Sequence, residues 1–179
     1  MAKGKITLTT LKKHLKQLPQ DELVAEIAEL FKRFPEVKDF YQVKLSAGDD
    51  SAIAEKYKKV IENEFFPARG FGKARLSVGK KAITDYKKVC STMSGLIDMM
   101  LFYVEQGVQF TVEYGDIDEP FYNSMESVYD KALALIVQSS LHEQFYQRCS
   151  QVVSQTSGMG WGFHDALSSM FYKAFADYE

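Results

Sequence analysis

Lys80, Lys81, Lys87 and Lys88 crowd four positive charges into nine residues. Cations massed in this way hold carboxylates or phosphates, provided that one helix presents them together. Just upstream, FFPARGFGKAR at residues 65–75 adds Arg69, Lys73 and Arg75 among Phe65, Phe66 and Phe71. Cations beside aromatic rings can neutralise phosphates and stack on bases. The RGFGK stretch also brings backbone N–H groups near a helix start, where anions are favoured. It lacks the spacing G-x-x-x-x-G-K-[ST], so nucleotide cradling has only weak support. The plainer alternative is a solvated lysine face that follows a proline–glycine turn.

A second loop, YGDIDEPFYN at residues 114–123, gathers Asp116, Asp118 and Glu119. Carboxylates this close suit a hard cation. An EF-hand beginning at Asp116 would need glycine at 121 and glutamate at 127, where Phe121 and Ser127 stand. Helix entry explains the acids more simply, because an aspartate cap satisfies free N–H groups and acids suit that end of the helix dipole. The histidines invite false matches. HEQFY at 142–146 begins like the zinc-protease H-E-x-x-H, but Tyr146 takes the place of the second ligand. His14 borders an apolar stripe, where a structural imidazole is commoner than a ligand. His164, Asp165 and Ser168 resemble a triad only on paper, since adjacent helical residues point about 100° apart and no G-x-S-x-G elbow is present. No catalytic residue, no metal and no cofactor is expected, and the reading leans away from an enzyme.

The third unusual stretch is TSGMGWGFHDAL, residues 156–167, with Gly158, Gly160 and Gly162 around Trp161, the single tryptophan. Gly158 suits the left-handed end of a helix. The next two glycines let the chain turn around Trp161, which is expected to anchor the turn against the core. The alternative is a pocket lined by Asp116, Asp118, Trp161, Phe163 and His164, with the RGFG loop alongside.

The elements that must position these residues read as helices throughout. Leu11, Leu15 and Leu18 share one face before Pro19. Leu23, Ile27, Leu30 and Phe34 mark a second helix ending near Pro35, and EVKDFYQVKL a short third one. Ile53, Tyr57, Val60, Ile61 and Phe65 stripe a fourth, which Pro67 terminates. In a fifth, over about 75–90, Leu76, Val78, Ala82, Ile83, Tyr86, Val89 and Cys90 fall within an arc of about 160°, with the four lysines opposite. A sixth, over 94–114, is apolar nearly all round and is expected at the centre, although its tail VQFTVEY also suits a strand. Asp118 and Pro120 open a seventh; the eighth spans about 141–156 and the last starts near Phe163. The reading is one all-α domain over 1–179, a multi-helical bundle or short superhelix of eight or nine helices.

Charge is divided along the chain more than the net −2 suggests. Residues 51–90 carry ten Lys/Arg against four Asp/Glu, whereas 91–179 carry three against twelve. The opening MAKGKITLTTLKKHL has charge but no apolar core, so no export signal is expected. GLIDMMLFYV, the longest apolar run, contains Asp98 and falls far short of the roughly 20 residues of a membrane span. Cys90 and Cys149 match no metal or redox spacing and suit buried free thiols in a reducing cytoplasm.

Three long phrases, ENEFFPARGFGKARLSVGKKAITDYKK, YVEQGVQFTVEYGDIDEPFYNSMESVYDKAL and GMGWGFHDAL, resemble an uncharacterised bacterial domain-of-unknown-function family of small helical proteins. LKKHLKQL, ELVAEIAEL and EVKDFY fit the same pattern. The resemblance implies a bacterial, cytoplasmic, helical protein and carries no activity or ligand. The leading expectation is a non-enzymatic module that docks a protein partner through its basic helix. The first alternative is a nucleic acid or other polyanion bound through residues 69–88. The second is a small-ligand or enzymatic site where the three unusual loops meet.

Overall fold

Proline and glycine punctuate the chain much as the spacing predicts. The computed structural model describes residues 6–176, and among them every regular element is a helix: α1 Leu8–Leu15, α2 Gln20–Arg33, α3 Pro35–Leu45, α4 Ser51–Phe65, α5 Leu76–Lys87, α6 Met93–Tyr114, α7 Glu119–Gln138, α8 His142–Gln155 and α9 Phe163–Phe175. The fold is all-α. The β-branched tail of α6, ambiguous in sequence, stays helical because tertiary burial outweighs a weak local preference.

Contacts sort the chain into two compact units, one ending at Gln42 and the other beginning at Val43. In the first, His14 Nε2 of α1 lies 3.9 Å from Glu26 Oε1 of α2. Phe31 of α2 meets Tyr41 of α3 edge-on at 6.4 Å. The apolar stripes expected on α1 and α2 are present, yet neither helix buries a single residue.

The second unit is built around α6. Helices α4, α5, α7 and α8 all pack on it, and α9 packs on α7 and α8. Enclosure explains the composition of α6: Leu96, Ile97, Met99, Met100, Leu101, Tyr103 and Val104 are all buried, and Asp98, Glu105 and Gln109 share the narrow stripe left for polar side chains. The starts of α6 and α7 are each fixed by a side-chain cap. Thr92 Oγ1 accepts from Gly95 N at 3.0 Å at the start of α6, and Asp118 Oδ1 accepts from Phe121 N at 2.9 Å at the start of α7. Midway along, a hydroxyl pair, Tyr103 Oη with Ser124 Oγ at 2.9 Å, joins α6 to α7.

An ion cluster ties α4, α6 and α8 together. Arg148 donates through Nε to Glu105 Oε1 at 2.5 Å and through Nη2 to Glu105 Oε2 at 2.8 Å, a two-pronged pair. It also bonds Asp98, which Lys58 Nζ approaches to 2.8 Å. Burial works against the charge of Asp98. Hydrogen bonds from Lys58 and Arg148 outweigh that cost and hold its carboxyl below the ordinary value.

Candidate functional site

Helix α5 presents its lysines in two adjacent rows, and the rows differ. In the first, Lys81, Asp85 and Lys88 follow one another at intervals of four and three residues. Both lysines bond Asp85, Lys81 through Oδ2 and Lys88 through Oδ1 at 2.7 Å. Those bonds, Lys81's first, hold the Asp85 carboxyl below its ordinary value. The expected four-lysine face is therefore half neutralised from within its own helix.

The second row runs Lys80, Thr84, Lys87 and borders a groove between α5, α6 and α7. Its floor is apolar: Ile83, Leu96, Met100 and Val128 are buried, and Leu135 is half-buried. Lys131 of α7 stands on the opposite rim. Lys80, Lys87 and Lys131 form no ion pair among the described residues. The groove encloses about 400 Å³. Its chemistry is that of an amphipathic seat, with cations around a hydrocarbon floor.

The basic loop ahead of α5 is also divided. Arg75 is not free to hold an anion, because it donates through Nε and Nη2 to the two carboxylate oxygens of Glu64 at 2.8 and 2.5 Å. That contact, led by the Arg75 hydrogen bond, keeps the buried Glu64 carboxyl below its ordinary range. Arg69 and Lys73 form no ion pair among the described residues, and Phe71 between them is 83% exposed. Phe71 meets Tyr114 edge-on at 6.4 Å, so this loop reaches the end of α6.

The other two loops meet there as well. Asp116 Oδ1 accepts from Tyr122 Oη at 2.7 Å and from Gly160 N at 3.2 Å. A Cβ on Gly160 would lie 2.5 Å from Asp116 Oδ2, which is why glycine stands at that point. The convergence is packed by side chains. Asp118 is engaged as a cap, and Phe163 is fully buried against Tyr122 at 4.8 Å. His164 Nδ1 lies 2.9 Å from Thr156 Oγ1. None of these five residues, Asp116, Asp118, Trp161, Phe163 and His164, lines the α5–α6–α7 groove. Trp161 departs from expectation: it does not sink into the core but is 61% exposed, at a positive φ of 61°. Gly158 and Gly162 do take the left-handed conformation on either side. Among the described residues no three metal-ligating side chains are gathered together, and no helix is long and apolar enough to cross a membrane.

Two features escape the sequence reading. Lys131 belongs to the groove but lies 43 positions from Lys88, and only the packing of α7 beside α5 and α6 brings it near. Arg148 and its carboxylates were marked only by Asp98 inside an apolar helix, where a charge demands a partner.

No curated protein and no solved structure matches the chain. The model of a family of unknown function (DUF6155) matches residues 6–175, nearly the full length, and the chain belongs to that family.

Proposed function

We infer that the chain is a non-enzymatic docking module, and that the α5–α6–α7 groove receives an acidic amphipathic helix of a protein partner. The observation that carries this reading is the trio Lys80, Lys87 and Lys131, unpaired among the described residues at the rim of an apolar floor. A helix laid in such a groove buries its apolar stripe against Ile83, Leu96 and Met100 and sets its carboxylates against the lysines. Lys80 and Lys87 are seven residues apart, roughly 10 Å along the axis, so acids one heptad apart on the partner match them. The setting belongs to the same reading: a reducing bacterial cytoplasm suits two cysteines that are both free thiols.

The test uses a labelled synthetic helix with an apolar face and glutamates seven residues apart, titrated by fluorescence anisotropy. The expected result is saturable binding that weakens at least tenfold in Lys80→Glu/Lys87→Glu and falls with added salt. Asp85→Asn, which removes an acid from the same helix, should tighten it. Equal binding of a peptide with lysine in place of each glutamate, or indifference to the charge reversal, refutes the reading.

A second reading, a polyanion held by Arg69, Phe71 and Lys73, is favoured by the exposure of Phe71 between two cations. A single-stranded oligonucleotide serves as its probe. Binding lost in Arg69→Ala/Lys73→Ala but kept in Lys80→Glu/Lys87→Glu selects this reading over the groove. The small-ligand or enzymatic alternative would draw on the loops around Asp116 and His164, whose polar groups are already engaged in caps and turns.

A further inference from the structure

The helix register around the α5–α6–α7 groove brings two of its lysines opposite one another. Both flanking helices run antiparallel to α6. On the α5 side, a Cβ on Gly79 would lie 2.5 Å from the Tyr103 ring, and one on Gly95 would lie 2.7 Å from Tyr86 Oη. On the α7 side, Tyr103 bonds Ser124, and Phe110 meets Phe121 at 6.1 Å. Gly79 and Ser124 therefore stand level with Tyr103. Counting from there toward the start of α6, Lys87 lies eight residues along α5, Lys131 seven along α7 and Leu96 seven along α6. At about 1.5 Å per residue the three are level to within about 2 Å. Lys87 and Lys131 thus flank Leu96 from opposite rims.

No carboxylate lines this groove among the described residues. The acids nearest in sequence are engaged elsewhere: Asp85 is held by Lys81 and Lys88, and Asp130 lines the separate cleft between α7 and α9. Thr84, the remaining polar side chain at the rim, spends its hydroxyl on Lys80 O at 2.9 Å. An incoming head group is then met by ammonium groups alone, compact charges with no fork geometry to satisfy. That suits a carboxylate with a single charge.

Farther along the groove, Ile83, Met100 and Val128 are buried yet keep 8%, 7% and 4% of their surface, whereas Ile97, Met99 and Leu101 keep none. The first three reach the floor and offer hydrocarbon to hydrocarbon. Lys80 borders this stretch, and its carbon stem can lie along a chain while the charge stays in water. A volume of about 400 Å³ is at the lower end of the range for small-molecule sites. A hydrocarbon chain fits inside it; a helix, about 10 Å across, lies over it.

We propose that the groove binds a free long-chain carboxylate, its head between Lys87 and Lys131 and its chain over Ile83, Met100 and Val128, and that this ligand expels the acidic helix from the same seat. The expulsion rests on the docking reading; the site itself needs no protein partner. Equilibrium dialysis of the full chain against decanoate, dodecanoate and tetradecanoate, each below its micellar concentration, tests it. The expected result is one saturable site per chain, with affinity rising up to about fourfold per added methylene. The methyl ester of dodecanoate and dodecyltrimethylammonium should each bind at least tenfold more weakly than dodecanoate.

Lys87→Glu/Lys131→Glu should weaken dodecanoate at least tenfold, whereas Lys81→Glu/Lys88→Glu, on the other row of α5, should leave it within about threefold. Val24→Ser/Leu30→Ser removes exposed apolar residues of α2, another place where a chain could settle, and should change nothing. All the altered side chains are exposed, and circular dichroism checks that the variants stay helical. Absence of a saturable site overturns the proposal. So does equal binding of the ester or the cationic amphiphile, indifference to Lys87→Glu/Lys131→Glu, or loss in Val24→Ser/Leu30→Ser instead. The two readings fail separately. Dodecanoate bound without the glutamate peptide keeps the site and removes docking, and the peptide bound without dodecanoate does the reverse. Where both bind, dodecanoate should displace the peptide, and simultaneous binding overturns the shared seat.

Discussion

Removal of the Arg148 side chain is the sharpest test of what holds the second unit together. Arg148→Met keeps the length and apolar stem but deletes three donors, leaving Glu105 without its two-pronged partner and Asp98 with Lys58 alone. Breaking a fully buried pair from one side costs about 3–5 kcal/mol. Here the side chains keep 27–32% of their exposure, so water screens part of the loss and about 2 kcal/mol is the reasoned figure. For a chain of this size that is a fall in Tm of roughly 5 °C. Urea unfolding, followed by near-ultraviolet circular dichroism of the buried tyrosines, measures it. Because folding lowers the pKa of Asp98, the unfolded chain takes up its proton more readily. The stability it contributes is full above the unfolded carboxylate value, about 4, and drains as pH falls through the folded one. The cost of Arg148→Met should therefore be greatest at neutral pH and shrink below pH ~4, where the stranded Asp98 is protonated. A double-mutant cycle with Glu105→Gln should return a coupling of about 1–2 kcal/mol. A variant as stable as the parent, or one whose deficit is the same at pH 3 and pH 7, refutes the reasoning.

Two further outcomes follow from buried groups in the same unit. Tyr103→Phe strands Ser124 Oγ inside the α6–α7 contact and should cost about 1–2 kcal/mol by the same urea measurement, whereas Tyr103→Phe/Ser124→Ala should recover part of it. Burial pushes the Cys149 thiol up to about 12 and raises that of half-buried Cys90 as well. Maleimide at neutral pH should label Cys90 slowly and Cys149 only after unfolding, as counted by mass spectrometry. Equal native labelling of both would show that α8 opens far more readily than its packing implies.

Helix number, order and most boundaries were legible because each is set by local chemistry. Pro19, Pro35, Pro67 and Pro120 sit at helix borders, and Thr92 and Asp118 act as caps. The enclosure of α6 was legible for the same kind of reason, since a helix apolar nearly all round is packed on most sides. The site was only half legible. Lys81 and Lys88 read as free cations until Asp85, four residues from one and three from the other, is recognised as the common partner of both; helical spacing alone already contains that pairing. Arg75 is different, because Glu64 lies eleven residues away across a loop whose course no periodicity describes. Trp161 went the wrong way for a related reason. Side-chain size predicts burial, but the left-handed turn that carries this residue is dictated by the backbone around Gly158 and Gly162, and the turn points the ring outward.

Periodicity identifies an apolar face without identifying what lies on it. Helices α2 and α5 are both divided sharply into apolar and charged sides, yet α5 buries Ala82, Ile83 and Tyr86 while α2 buries nothing. The difference lies in chain connectivity. The turn after α4 folds α5 back onto α4 and α6, so its stripe meets a partner supplied by its own unit. The first unit has too few helices to enclose a stripe of its own, and a surface of that kind is stable in water only when something else completes it. The charges beside the two stripes then carry different information. On α5 the unpaired cations are of one sign and call for an acid from outside, whereas the charges of α2 are of both signs and lie on the side of the helix away from its stripe. A charge-reversal experiment tests the first case, because reversal of Lys80 and Lys87 is curable only by reversing the acids of the partner.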